Sequence, residues 1–257
     1  SFLMKKKILY TIGDSFVFRG FDYTSWSSLL SERLDWVDAN NGMSGTSNDR
    51  SYRSVVRDIS RIKVSNKLWT ESTGEIDCNL DDIFVIVGWT SPTRFEWYQN
   101  GEYLSSRLWS KSTFQRRDNL RIDFSFSDEI SLPMSDECNS MINFFNQIIT
   151  LKTFLEINNI PNIFYNTFFP FDHDTEEYYE TAISKIESNK PKSFIGFDNP
   201  NTYYSLNDLW KEVPNDYKKY NQLKCVTLDN IDETLHPNDE GNKIWADFLY
   251  GVINDIR

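Results

Sequence analysis

Histidine is nearly absent from this chain: 257 residues contain two, His173 and His236. Imidazole is the side chain best suited to general-base work near neutral pH, so the list of candidate bases is short. Cysteine is equally sparse. Cys78, Cys138 and Cys225 lie far apart with no Cys-x-x-Cys, which excludes a zinc ribbon and a disulfide scaffold and fits a reducing compartment. No apolar run exceeds strand length, Ile83–Val87 being typical, so no segment is long enough to span a bilayer. Residues 1–7 carry a basic patch but no apolar stretch of signal-peptide length, and a cytoplasmic location is expected. Basic residues are the minority: 27 Lys and Arg against 38 Asp and Glu leave a net charge of -11. That balance excludes a global electrostatic grip on nucleic acid or on an anionic membrane. The glycine patterns of dinucleotide and nucleoside-triphosphate sites are missing, as is His-Glu-x-x-His, so neither cofactor nor metal is expected. There is no internal repeat, which removes solenoids and propellers.

What is present is an ordinary folded composition, 39% hydrophobic and 25% charged, with a heavy aromatic share of 16%. The first half alternates two periods. Ile8–Ile12 reads as a buried strand ending in the turn Gly13-Asp14-Ser15. Thr24 is placed to cap a helix burying Trp26, Leu29, Leu30 and Leu34. Residues 36–40 read as a second strand. Ser47 opens a helix with Tyr52, Val55, Val56, Ile59 and Ile62 on one face, and Ile83–Val87 has the continuous apolarity of a central parallel strand. Residues 89–135 lack periodicity and read as an insertion. A long helix then turns Met141, Phe144, Phe145, Ile148, Leu151 and Leu155 inward, Pro161 stops it, and residues 163–167 form the next strand. Residues 170–220 read as a second irregular insertion, Leu223–Leu228 as the last strand, and a helix from Asp239 closes the chain. Strands alternating with helices predict one α/β domain over residues 1–257, a parallel sheet covered on both faces, with ligands at the carboxyl ends of its strands.

That rule singles out Gly13–Ser15, residues 42–48, residues 88–94 and the loop around His236. Ser15 follows the first strand directly, where a hydroxyl projects from the sheet edge and becomes nucleophilic beside a base. His236 precedes the last helix, and an acid three residues before it, Glu233, can fold back onto Nδ1 and fix the tautomer. Both loops fall at one end of the sheet.

Four blocks, in order, resemble those of the SGNH (GDSL-like) hydrolases: Ile12-Gly13-Asp14-Ser15, Asn41-Gly42-Met43-Ser44-Gly45, Val87-Gly88-Trp89-Thr90 and Glu233-Thr234-Leu235-His236-Pro237. The resemblance spans nearly the whole chain and implies a flavodoxin-like three-layer α/β/α fold and a metal-free esterase, lipase or carbohydrate O-deacetylase. It implies Ser15 as nucleophile, His236 as base, and the backbone N–H groups of Ser15 and Gly45 in the oxyanion hole. Two positions depart from the family pattern. Thr90 stands where the third block has Asn, and can offer one hydroxyl donor. Glu233 stands where the triad acid is Asp, so either Glu233 or the preceding Asp232 orients the histidine.

Around these blocks, Arg94 is a candidate fork for a substrate carboxylate or phosphate, or the partner of a local acid such as Glu96. Trp89 and the aromatics Phe95, Trp97, Tyr98, Tyr103 and Trp109 offer a sugar or acyl wall, or the core of their own insertion. Arg107, Arg116, Arg117 and Arg121 make that insertion locally basic. His173 sits between Asp172 and Asp174 without a second histidine near it. The reading is a serine esterase acting on a carboxylic ester, an O-acetyl group on a carbohydrate included. The alternatives are an acyltransferase on the same site and a silent module binding a glycan or partner. Asn- and Ile-rich usage fits an AT-rich genome, of a phage or bacterium.

Overall fold

A computed structural model describes residues 6–18, 23–92, 94–99, 102–107, 137–167, 175–188 and 206–256. Its centre is a four-stranded, all-parallel sheet of β1 (Ile8–Ile12), β2 (Val37–Asn40), β5 (Ile83–Trp89) and β8 (Asn162–Asn166), in the order β2-β1-β5-β8. Ile8 lies level with Val37 on one side and Ile83 on the other, and Val85 with Asn162. All residues of β1 and β5 are buried, as their unbroken apolar runs require of strands covered on both faces.

The alternation of side chains sorts the core in two. Ile8, Tyr10, Ile12, Ile83, Val85 and Val87 face α2 (Asn48–Ser65) and α3 (Glu137–Ile157), which present Val55, Ile59 and Ile62, and Phe145, Ile148 and Leu151. Leu9, Phe84 and Ile86 face α1 (Trp26–Leu34) and α8 (Asp239–Asp255), which present Trp26 and Leu30, and Trp245, Leu249 and Ile253. The molecule is therefore the expected three-layer α/β/α, with the strand order of flavodoxin-like sheets up to the fourth strand. Each fully buried aliphatic side chain contributes about 1.5–3 kcal/mol relative to exposure. Among the described residues no helix is long and apolar enough to cross a membrane.

Several elements differ from expectation. Ser25, not Thr24, caps α1: its Oγ accepts the Ser28 N–H at 3.3 Å, while the Thr24 N–H donates to Asp239 Oδ1 at 3.0 Å. A hairpin of β3 (Lys67–Thr70) and β4 (Gly74–Asp77) follows α2. A second, β6 (Arg94–Gln99) with β7 (Glu102–Arg107), occupies the stretch read as aperiodic. Partly buried contacts fasten β6 to the helices. Arg53 of α2 forks onto Glu96 at 2.9 and 3.1 Å, and Asp49 accepts the Glu96 N–H at 2.7 Å and Gln147 Nε2 at 2.6 Å. Burial pushes the carboxyls of Asp49 and Glu96 above their ordinary range.

Residues 170–220 are not irregular where described. They hold α4 (Thr175–Ser188), α5 (Leu206–Glu212) and α6 (Asn215–Lys219). Tyr179, Trp210 and Tyr217 cluster on Phe144 and Phe145, with ring centroids 5.4 Å apart for Phe145–Tyr179 and 5.0 Å for Tyr179–Trp210. The expected last strand, Leu223–Leu228, is instead the short helix α7 (Gln222–Val226) and a 3₁₀ turn at Leu228–Asn230. Asn221 Oδ1 caps α7 by accepting the Lys224 N–H at 3.1 Å, and Leu223 and Val226, three residues apart, bury one face. Fifth-strand pairing among the described residues shrinks to one parallel bridge, Asn166 to Asn221.

Candidate active site

The strand order reverses between β1 and β5, so their carboxyl ends open a crevice. Backbone approach there is close. A Cβ on Gly13 would lie 2.6 Å from the Gly88 carbonyl oxygen, which excludes any larger residue at the end of β1. The chain then makes one helical turn, the N–H groups of Val17 and Phe18 both donating to the Asp14 carbonyl at 3.0 Å. The side chain of Asp14 folds under this turn, and its Oδ1 accepts the Phe16 N–H at 3.1 Å. Asp14 is completely buried, whereas Ser15, at the crest of the turn, is half-buried.

His236 comes from a tight loop before α8. Ile231 and Pro237 pair as an antiparallel bridge, and the Asp232 N–H donates to the His236 carbonyl at 2.8 Å. Between them Leu235 takes a left-handed φ of 66°, which turns the chain back. Inside the loop Asp232 Oδ1 accepts three donors: Thr234 N–H at 2.8 Å, Thr234 Oγ1 at 2.6 Å and His236 N–H at 3.1 Å. Burial works to raise the Asp232 carboxyl, but these hydrogen bonds outweigh it and hold the group below the usual carboxylate range. Thr234 Oγ1 also lies 2.8 Å from His236 Nδ1. Glu233, the other candidate acid, is exposed.

Ser15 and His236 line one small cleft together with Phe16, Phe18, Tyr23 and Trp26. Its volume is about 20 Å³, room for roughly one water-sized group. Phe16 stacks on the imidazole at a centroid distance of 5.0 Å and an interplanar angle of 28°. Asn238 caps α8 by accepting the Gly241 N–H at 3.0 Å, and Asn242 Nδ2 donates to the Pro237 carbonyl, so the loop is anchored to the start of the helix.

The other candidates fall as follows. Gly45 is exposed at a φ of 73°, a left-handed position that favours glycine. Its loop is tied to the Ser15 turn by the Met43 N–H, which donates to the Gly13 carbonyl at 3.0 Å. Thr90 is buried beyond the end of β5. Asn48 clamps its backbone, accepting the Thr90 N–H at 2.9 Å and donating to the Thr90 carbonyl at 2.9 Å. The Thr90 Oγ1 has no hydrogen-bond partner among the described residues. Trp89 is fully buried, edge-on to Phe144 and Phe164. Arg94 is buried too. Its Nη1 reaches Asp14 Oδ2 at 3.2 Å and the Thr46 carbonyl at 3.1 Å, while Glu96 goes to Arg53. His173, Trp109, Arg116, Arg117 and Arg121, and the side chains of Phe95, Trp97, Tyr98, Tyr103 and Arg107, lie outside the described residues. Among the described residues no cluster of three His, Cys, Asp or Glu side chains is placed to hold a metal ion.

Three contributors escape a reading of the sequence. Asn48 and Phe16 carry no motif of their own. Thr234 lies inside the His236 block, and its signal was the Asp-x-Thr spacing of a turn in which a carboxylate accepts from the second residue on.

No family model matches the chain, and no curated protein matches it in sequence. Solved structures similar to it include the acetyl xylan esterase Est2A from the rumen bacterium Butyrivibrio proteoclasticus, at 12% identity and a TM-score of 0.46, over 97% of this chain and 64% of that one. A protein of the G-D-S-L family from Desulfitobacterium hafniense DCB-2, described as lipolytic, is similar at 15% identity and a TM-score of 0.44, over 96% and 99% of the two chains. The psychrotrophic esterase EstA from Pseudoalteromonas sp., inhibited by monoethylphosphonate, is similar at 12% identity and a TM-score of 0.46, over 97% of both. This chain thus spans less than two thirds of the length of Est2A.

Proposed function

We propose that this protein is a serine hydrolase of carboxylic esters, working through an acyl-enzyme at Ser15. The observation that carries the reading is the shared cleft. A serine from the first strand end and the only described histidine, from the far end of the chain, line one cavity at the carboxyl edge of a parallel sheet. His236 Nε2 takes the proton of Ser15 Oγ as the oxygen attacks the ester carbonyl. Charge gathers on the carbonyl oxygen, which the N–H groups of Ser15 and Gly45 and the Thr90 hydroxyl are proposed to receive. The tetrahedral intermediate collapses, the alcohol leaves with the proton from His236, and water repeats the sequence to release the carboxylic acid and restore Ser15. An acidic residue beside His236 stabilises the imidazolium formed at each half-reaction.

The test is a fluorophosphonate probe followed by peptide mass spectrometry, run beside hydrolysis of a short-chain aryl ester. Labelling at Ser15, lost in Ser15→Ala together with turnover, is expected. A wild-type protein that neither labels nor hydrolyses would instead be a binding module built on this fold.

A further inference from the structure

We infer that Thr234 is the positioning residue through which the Asp232 carboxylate holds His236 in its working tautomer. The inference rests on the esterase reading for its consequence, but not for its geometry. Thr234 Oγ1 sits between two groups, 2.6 Å from Asp232 Oδ1 and 2.8 Å from His236 Nδ1. A hydroxyl owns a single proton and can donate it once. An ionised carboxylate only accepts, so the Thr234 proton must go to Asp232. Carboxylate character is secure because three donors converge on Oδ1 and hold the group below the ordinary range.

With its proton committed, Thr234 Oγ1 can only accept from the imidazole. His236 must therefore carry hydrogen on Nδ1, which leaves the Nε2 lone pair as the base. When Nε2 takes the Ser15 proton, the ring becomes an imidazolium. Nδ1–H still donates to Thr234, Thr234 still donates to Asp232, and no proton moves along the chain. The negative charge of Asp232 thus acts through one intervening hydroxyl rather than by direct contact. Glu233 plays no part in this arrangement. It is exposed, and the loop instead brings the Thr234 hydroxyl, bonded to Asp232, onto the ring.

The test compares full-length Thr234→Val, Thr234→Ser and Glu233→Gln with wild type by two readouts. The first is steady-state hydrolysis of an aryl acetate. Thr234→Val should lose kcat by about tenfold or more with KM nearly unchanged, Thr234→Ser should restore most of it, and Glu233→Gln should match wild type. The second is the imidazole ¹⁵N spectrum without substrate, the His236 signals being identified by their loss in His236→Ala. Wild type and Thr234→Ser should show one neutral tautomer protonated at Nδ1, and Thr234→Val a mixture. Thr234 is exposed, so the valine variant is expected to fold; circular dichroism confirms it, and Thr234→Ala, which also removes the hydroxyl, carries the test with the same expected losses should it not. Unchanged kcat and an unchanged tautomer in Thr234→Val would overturn the inference, as would a larger loss in Glu233→Gln. Because the spectrum needs no turnover, an inactive wild type with the Thr234-dependent tautomer would sink the esterase reading while leaving the relay in place.

Discussion

Thr90 concentrates a conflict in one side chain. Its backbone is locked by Asn48 on both sides, and its hydroxyl is buried with no partner among the described residues. An unsatisfied buried hydroxyl costs about 1–3 kcal/mol, so the fold by itself would favour valine here. The oxyanion role proposed for Thr90 would account for the cost, since a donor to a charge that appears only in the transition state gains its partner during reaction. Thr90→Val is therefore expected to raise the melting temperature while lowering kcat by at least about tenfold, with little change in KM. Thermal unfolding and steady-state kinetics on one preparation check both halves. A valine variant with wild-type kcat would leave the two backbone N–H groups as the whole oxyanion hole. At this scale the sequence shows a Ser, a His and two glycines in ordered blocks. It does not show which acid serves the histidine, because block spacing favours Glu233 while the loop, with Leu235 in the left-handed region, sets the Thr234 hydroxyl between Asp232 and the ring.

Among the elements, β6 connects the parts of the site although neither Arg94 nor Glu96 lines the cleft. Its first residue, Arg94, joins Asp14 under the serine turn to the Thr46 carbonyl beside Gly45, so one guanidinium fixes the spacing of two loops that carry candidate oxyanion donors. Arg94→Leu leaves Asp14 buried and unpaired by Arg94, and should destabilise the fold by about 3–5 kcal/mol. Adding Asp14→Asn should recover part of that loss without recovering kcat, because the spacing stays loose. Denaturant titrations of the single and double variants measure the first claim, and full recovery of turnover in the double variant would contradict the second. The elements most legible in the sequence are those with long, regular patterns. β1 and β5 are continuous apolar runs, and α2, α3 and α8 each repeat their apolar face over several turns. The short helices α5, α6 and α7 offer a turn or two each, so one pair such as Leu223 and Val226 reads equally as strand. The β6–β7 hairpin was obscured by consecutive aromatics, although its strands meet with Gln99 opposite Glu102 across Asn100-Gly101, a strong two-residue turn signal.

For the molecule as a whole, the excess of acid sets the response to pH. A net charge of -11 makes the compact state repel itself at neutral pH, and the sequence pI is near 4.7. Asp49 and Glu96 act in the same direction. Their folded carboxyls titrate above the ordinary range, so the folded protein binds more protons than the unfolded chain between that range and the raised values. Their contribution is fully present below the ordinary range and lost as pH rises through the raised values. Asp232 is shifted down instead, and its contribution fades only below the usual carboxylate range, outside this window. The melting temperature should therefore rise as the buffer is taken from neutrality toward mild acid, and Asp49→Asn should blunt the rise. Melting curves across that interval decide it; a flat or falling trend in the wild type would count against both causes.

The bond between Thr24 and Asp239 spans 215 positions of sequence, and the ion pair of Arg33 with Asp247 spans 214. Helices α1 and α8, which they join, are the first and last of the fold and share one face of the sheet. Contacts between such distant positions raise the contact order, because a long loop must close before they repay its entropy, so docking of α8 onto α1 is expected late in folding. His236 lies just ahead of α8, and the proposed pairing of Ser15 with His236 therefore waits on the union of two segments that meet only when the second face of the sheet is sealed.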